Sequence, residues 1–349
     1  MTSGALRRFV RRTGQAATVL LITAALAEGT LALLRHVPAF ARIPGFGSLG
    51  RELYLGDRML VTISDECGAW DPDLGYRLKP GGCTFVNTEF RTRIRVNSAG
   101  LRGAEEALDA PEIIVLGDSF AMGWGVEESE AFPEELGELS GRRVLNAGLA
   151  SFGTVRELRL LSRLDRRALK TVVIQFCNND YVENEAWTRN GNRLPPLSRE
   201  DWEGWIRFNA GYRRYLPGTY LARMLGPRLR SLLRRPLPVA TSPDPDDPTV
   251  RQNQVAYFLN ALATSPVDLS PFRIVLFEVN GRNENADWFL PMLRQRIERD
   301  EVPPQARRLV LVDVAARLTR DDFFLLDEHL NAAGHRKVAE ILLPRVSAP

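Results

Sequence analysis

The stretch Ile113-Ile114-Val115-Leu116-Gly117-Asp118-Ser119-Phe120 decides the fold class of this chain. Its first four residues are all large and apolar, with no alternation of polar and apolar positions. Such a run suits a strand covered on both faces, as in the middle of a parallel sheet. Gly117 and Asp118 supply a turn, and the residues from Ala121 towards Leu139 carry the acidic residues and spacing of a helix beginning there. A strand–turn–helix of this kind leaves the Ser119 hydroxyl at the strand's C-terminal end. Helix N-terminal N–H groups at that place favour developing negative charge. Two readings of Ser119 compete. One is a helix N-cap, for which serine is a favoured residue. The other is a nucleophile, which needs a base and oxyanion donors from elsewhere in the chain.

The same rhythm recurs downstream. Buried-strand patterns fall at Val144–Gly148, Thr171–Phe176, Arg273–Val279 and Leu309–Val314, with helix-like stretches at Thr154–Arg167, Val250–Thr264, Asn285–Asp300 and Ala332–Leu343. Strands alternating with helices predict an α/β fold of three layers, α/β/α, around a five-stranded parallel sheet. Sheets of this type bind and react at the carboxyl ends of their strands, which is where Ser119 stands. Between Tyr181 and about Thr249 the alternation stops. Trp187, Trp202, Trp205, Tyr212, Tyr215 and Tyr220 predict an inserted helical cap packing on the sheet, with a carbohydrate platform as the alternative, and the basic segment Arg223–Arg235 follows. Pro236–Pro248, rich in Pro and Asp, reads as a linker. Before the sheet, His36–Asp109 reads as a small β-rich preface, with Phe90–Val96 alternating as a strand. The expected organisation is a basic tail and anchor over 1–37, a preface over 38–110, and an α/β domain over 111–349 with an insertion at about 181–250.

The chain has 349 residues, 44% hydrophobic and 26% charged, and a formal net charge of +3. That is a globular composition with scattered arginines and no basic aromatic patch, so nucleic acid is not an expected partner. Arg7, Arg8, Arg11 and Arg12 precede Ala16–Leu34, which is apolar apart from Thr18, Thr23, Glu28, Gly29 and Thr30. At helical rise this segment spans about 30 Å, the thickness of a bilayer's hydrocarbon core. The basic cluster predicts that the N-terminus stays cytoplasmic and the body lies on the periplasmic side of the inner membrane. A cleaved signal peptide is the main competitor, and Glu28 is a cost at membrane depth. Cys67 and Cys83 flank a short loop-rich segment and could pair outside the cytoplasm, whereas Cys177 lies in a strand pattern and reads as a buried apolar side chain.

A serine nucleophile needs a base, and the chain has three histidines. His36 adjoins the membrane segment. His335 falls inside the last helix and reads as structural, and its spacing from His329 disfavours a metal pair. His329 lies in the loop before that helix, where Asn331 is a natural N-cap, at the same sheet edge as Ser119. Asp327, two residues earlier, could orient its imidazole. Oxyanion donors are available at two other strand ends: Gly148, whose N–H is unhindered, and Asn179 with its side-chain amide. No metal or cofactor is called for.

Together, Gly117-Asp118-Ser119-Phe120, Asn146-Ala147-Gly148, Asn179-Asp180 and Asp327-Glu328-His329 resemble the four blocks of the SGNH (GDSL-type) hydrolase superfamily. Asn97-Ser98-Ala99-Gly100-Leu101-Arg102-Gly103 resembles the lead-in of membrane-anchored bacterial members. The resemblance covers about 112–180 and 271–343. It implies Ser119 as nucleophile, His329 as base and then acid, and the N–H groups of Ser119 and Gly148 with the Asn179 amide as oxyanion hole. Many members place the aspartate three residues before the histidine, and Leu326 stands there in this chain, which makes Asp327 the substitute. The expected function is a membrane-anchored serine esterase acting on acyl (for instance acetyl) esters of an envelope glycan or lipid. The alternatives are an O-acyltransferase acting on an envelope polysaccharide and a non-catalytic glycan-binding or scaffold protein. Oligomeric state is unmarked in the sequence.

Overall fold

The structure is a computed structural model and describes residues 3–233, 247–283, 288–299 and 302–346. The chain clusters into two units: residues 1–58, 211–241 and 325–327 form one, and the remainder forms the other.

The larger unit begins with two antiparallel hairpins, β1 (Gly68–Asp71) with β2 (Gly75–Leu78) and β3 (Cys83–Val86) with β4 (Arg91–Ile94). The fourth strand is the alternating segment expected at Phe90–Val96. A disulfide joins Cys67 to Cys83, while Cys177 is free and buried. Five parallel strands follow: β5 (Ile113–Gly117), β6 (Val144–Gly148), β7 (Thr171–Phe176), β8 (Arg273–Glu278) and β9 (Leu309–Val312), in the spatial order β6-β5-β7-β8-β9. Every residue of β5 and β7 is buried, as the unbroken apolar runs demand.

Side chains alternate between the two faces of that sheet. Ile114, Leu116, Val172 and Ile174 pack with Leu158 and Leu161 of α5 (Thr154–Ser162), Phe258 of α9 (Pro248–Ala263) and Phe289 of α10 (Phe289–Arg299). Ile113, Val115, Val173 and Val275 pack with Phe132 and Leu136 of α4 (Phe132–Ser140) and with Val338 and Leu342 of α11 (Ala332–Val346). The fold is therefore α/β/α in three layers. The insertion contributes α6 (Asp180–Arg189) and α7 (Arg199–Arg213), whose Trp202 and Ile206 join the first of these cores. Most of the Pro- and Asp-rich linker, residues 236–246, lies outside the described residues, and Pro248 starts α9.

One local expectation fails. The helix after Ser119 does not run towards Leu139: α3 (Ser119–Met122) is a single turn, and α4 begins only at Phe132. Gly123, at φ +85°, ends the turn in a left-handed conformation that side chains resist.

The smaller unit holds α1 (Ser3–His36), α2 (Phe46–Asp57) and α8 (Thr219–Leu233). From Val10 to Leu26 α1 is exposed on all sides, with Val19, Leu20 and Leu21 each more than 60% exposed. This helix is long and apolar enough to cross a membrane. Its last turns differ in kind. Glu28 is buried and accepts the N–H groups of Tyr220 at 3.1 Å and Leu221 at 2.9 Å, capping the start of α8. Arg35 donates to Asp57, which also takes Arg223 of α8, both at 2.5 Å. Glu28 thus finds backbone donors inside the protein, which removes the cost the sequence assigned to it as a lipid-facing charge. Within the expected segment 16–34, only the part up to about residue 26 is exposed on all sides.

The disulfide closes a loop of 16 residues, which a chain-entropy estimate values at about 3 kcal/mol. Cys67→Ser should lower the thermal midpoint under oxidising conditions, and reductant should destabilise the parent but not the variant.

Candidate active site

Three strand ends and one loop bring the predicted residues to one edge of the parallel sheet. Strand β5 delivers Ser119, β6 delivers Gly148, β7 leads through Cys177 and Asn178 to Asn179, and the loop before α11 carries His329. Strands β5 and β6 are in register, Gly117 opposite Gly148, so the first two stand level by construction.

The N-cap of α3 is Asp118, whose carboxylate accepts the Phe120 N–H at 2.9 Å. Ser119 is therefore not the cap. Its hydroxyl lies 2.7 Å from Nε2 of His329, a serine–imidazole pair at proton-transfer distance. Both residues are buried, at 7% and 3% exposure. Two aromatic rings pack against the imidazole: Trp124 stacks on it at 4.6 Å and 17°, and Phe120 sits tilted at 4.7 Å and 39°. These two rings hold the imidazole in place.

Asp118 has a second partner. Its other oxygen accepts from the Asn179 side-chain nitrogen at 2.8 Å. That contact uses one of two amide hydrogens and fixes the direction of the other. Burial pushes the Asp118 carboxyl above its usual range, and the Phe120 N–H, the neighbouring His329 and the Asn179 amide offset only part of that rise. Gly148 sits against the nucleophile turn so closely that a Cβ would lie 2.3 Å from the Met122 nitrogen. Its N–H donates to Asn146 Oδ1 at 3.1 Å, so it would join an oxyanion set by sharing that hydrogen. The Ser119 N–H, first in its helix, is one of the donors a helix start leaves over.

Asp327 is fully buried in the smaller unit, where it accepts the Tyr54 hydroxyl at 2.5 Å and Arg58 Nη1 at 3.4 Å. His335 is structural, as expected: its Nδ1 accepts the Phe132 N–H at 3.2 Å, which requires a neutral ring. Burial, with Arg102 and His329 adding positive charge nearby, pushes its pKa down to about 3. Asp180, beside Asn179, is also buried and accepts the Thr154 hydroxyl at 2.8 Å. Burial first, and then the Asp118 charge, raises its carboxyl well above the usual range. Among the described residues, no group of His, Cys, Asp and Glu side chains is placed to hold a metal ion.

Three supporting residues escaped the sequence reading. Arg102 is 1% exposed and donates to the carbonyls of Met122 at 3.3 Å, Gly123 at 2.5 Å and Val126 at 2.6 Å. The lead-in loop 97–103 thus sends a guanidinium into the core to bind the carbonyls after the nucleophile turn, including those flanking Trp124. Asn280 follows β8 and accepts the Asn178 N–H at 2.7 Å, which positions the loop carrying Asn179. The strand-end rule that found Gly148 and Asn179 would have found it too. Trp124 carries no motif signal, because stacking on His329 is a tertiary event. Asn331 caps α11 as expected, its Oδ1 accepting the Gly334 N–H at 3.1 Å. Its amide donates to the carbonyls of Asp321 and Phe323, which fastens the His329 loop.

No protein-family model and no curated protein matches this chain. Solved structures similar to it include a lipolytic protein of the G-D-S-L family from Desulfitobacterium hafniense DCB-2. Identity is 13% and the TM-score 0.34, over 67% of this chain and 98% of that one. A carbohydrate esterase family 2 enzyme with a carbohydrate binding domain, from Corynascus thermopiles (Myceliophthora fergusii), aligns at 13% identity and TM-score 0.35. That match covers 67% of this chain and 65% of the esterase, slightly under two thirds of its length. The lipase Lip_vut3 from a goat rumen metagenome aligns at 13% identity and TM-score 0.33, over 68% and 96% of the two chains. At these values the likeness carries no weight of its own, and the chemistry rests on the strand-end geometry.

Two outcomes are expected. Arg102→Met leaves three carbonyls short of a donor and should cost on the order of 3 kcal/mol in thermal or denaturant unfolding. The second concerns acid. An unfolded histidine binds a proton below about pH 6.5, whereas native His335 refuses it until about pH 3. The unfolded state therefore holds more protons in that window, and stability must fall as pH drops through it, by at most about 1.4 kcal/mol per unit from this group. His335→Gln should flatten the fall between pH 6.5 and 4, and an unchanged slope would remove His335 as its source.

Proposed function

We propose that the protein is a membrane-anchored serine esterase of the SGNH (GDSL-type) kind, acting on acyl esters of the cell envelope. One observation carries this: the Ser119 hydroxyl, relieved of capping by Asp118, lies 2.7 Å from the His329 imidazole. A binding module has no use for that pair beside two further strand-end donors.

In this reading His329 Nε2 takes the hydroxyl proton as Ser119 Oγ adds to the ester carbonyl. The oxyanion is met by the Ser119 N–H, the second hydrogen of the Asn179 amide and, by sharing, the Gly148 N–H. The imidazolium then protonates the leaving alkoxide, leaving an acyl-serine. Water, deprotonated by the same imidazole, releases the acid and restores Ser119. Asp327 is assigned to orient His329, its own carboxylate held by Tyr54 and Arg58. The exposed apolar run of α1 supports membrane anchoring, and the arginines preceding it support a periplasmic catalytic domain.

A fluorophosphonate probe should label the parent protein and not Ser119→Ala. Hydrolysis of p-nitrophenyl acetate should fall by roughly three orders of magnitude or more in Ser119→Ala and in His329→Ala, with melting curves retained. Wild-type turnover in Ser119→Ala would end the assignment. Asp327→Asn should cost on the order of 10³-fold or more if it sets the imidazole tautomer, and a loss under about tenfold would release it from that role. A cysteine introduced beside Trp187 should react with a membrane-impermeant maleimide in cells whose outer membrane has been made permeable.

A further inference from the structure

A cleft of about 680 Å³ opens beside the candidate oxyanion amide, with Asn179 in its wall. One side is α6, where Asn179, Val182, Glu183 and Ala186 fall on a single face at helical spacing. The other side is built by the β1–β2 turn and by the insertion segment before α7, through Leu194 and Leu197. An acetyl group would fill only a small part of it.

The chemistry of the walls points to the occupant. Four charged side chains border the cleft, and each has a partner within the protein. Arg156 pairs with Glu183, which also accepts the Arg156 backbone N–H at 2.8 Å. Arg159 donates to Asp73 at 3.3 Å. The Tyr76 hydroxyl and the Arg156 guanidinium both serve the Ser151 carbonyl, at 3.1 and 2.9 Å. Much of the remaining wall is apolar, beside Ser151 and the Asn179 amide. Val182 is 70% exposed and Trp205 46% exposed, with Leu194, Pro195 and Leu197 alongside. A sugar ring would find most of the charged groups of this wall already paired with each other. An alkyl chain asks for nothing except removal from water.

We infer that this cleft holds the acyl chain of the ester, and that the chain is of medium length, several carbons beyond acetyl. The inference deepens the proposed esterase activity and rests on it. The carbonyl carbon sits at Ser119, its oxygen faces the Asn179 amide, and the alkyl chain runs from there along α6 past Val182. The leaving alcohol is directed elsewhere.

The test uses the full-length protein in lipid nanodiscs, with p-nitrophenyl acetate, butyrate, hexanoate and octanoate at concentrations below their aggregation. Each methylene buried should raise kcat/KM by about two- to fourfold, so hexanoate should exceed acetate by at least roughly tenfold. Val182→Trp, at a site open to solvent and therefore tolerant in folding, should bring the hexanoate-to-acetate ratio down at least fivefold. A flat or falling profile in the parent overturns the inference, as does an unchanged ratio in Val182→Trp. A preference for hexyl acetate over methyl hexanoate also overturns it, by placing the chain on the alcohol side. Selective turnover of acetylated oligosaccharides would overturn it in favour of a glycan. No hydrolysis of any ester, with no fluorophosphonate labelling, would instead defeat the esterase proposal beneath it.

Discussion

The carboxylate of Asp118 is the constraint on which the site depends. One oxygen takes the Phe120 N–H and starts the nucleophile turn, and the other takes the Asn179 amide across to the next strand end. A single buried group thus ties the end of β5 to the end of β7. Two hydrogen bonds offset part of the cost of burying it. Because Asp118 does the capping, the adjacent hydroxyl is left for His329. The competition between cap and nucleophile is settled by which of two neighbouring residues has the longer reach.

Around that centre, support comes from places the motifs do not show. Arg102 holds the carbonyls following α3 and so keeps the Trp124 loop where its ring can stack on His329. Asn280 fixes the backbone before Asn179, and Asn331 closes the loop that carries His329. The lead-in loop, the end of β8 and the start of α11 are otherwise distant in sequence from the nucleophile or joined to it only through the sheet. A site assembled from strand ends depends on such ties, since loops without them would let the reacting groups drift beyond useful geometry.

The smaller unit shows how a charge in an apolar segment is accommodated. Glu28 reads from sequence as a cost, because composition cannot say what meets it. In the structure it caps α8 with two backbone N–H groups, and Arg35, Asp57 and Arg223 form an ion network a few turns on. The turns beyond about residue 27 therefore belong with protein, and the exposed apolar face precedes them.

The sequence by itself determined the sheet: five apolar strands, their order of appearance, and the placement of Ser119, Gly148 and Asn179 at C-terminal ends. A local pattern suffices there, because a strand covered on both faces has no polar positions to confuse it, and turn residues mark its end. His329 was legible by elimination among three histidines. Tertiary structure alone decided the rest. The helix after Ser119 stops at Gly123, whose left-handed backbone closes the turn; the acidic, helix-like residues beyond it hid that stop. The aromatic clamp on His329, the inward Arg102 and the partners of Asp327 and Glu28 join residues far apart in the chain. Such pairings follow from where the folded backbone delivers side chains, and local spacing carries no record of them.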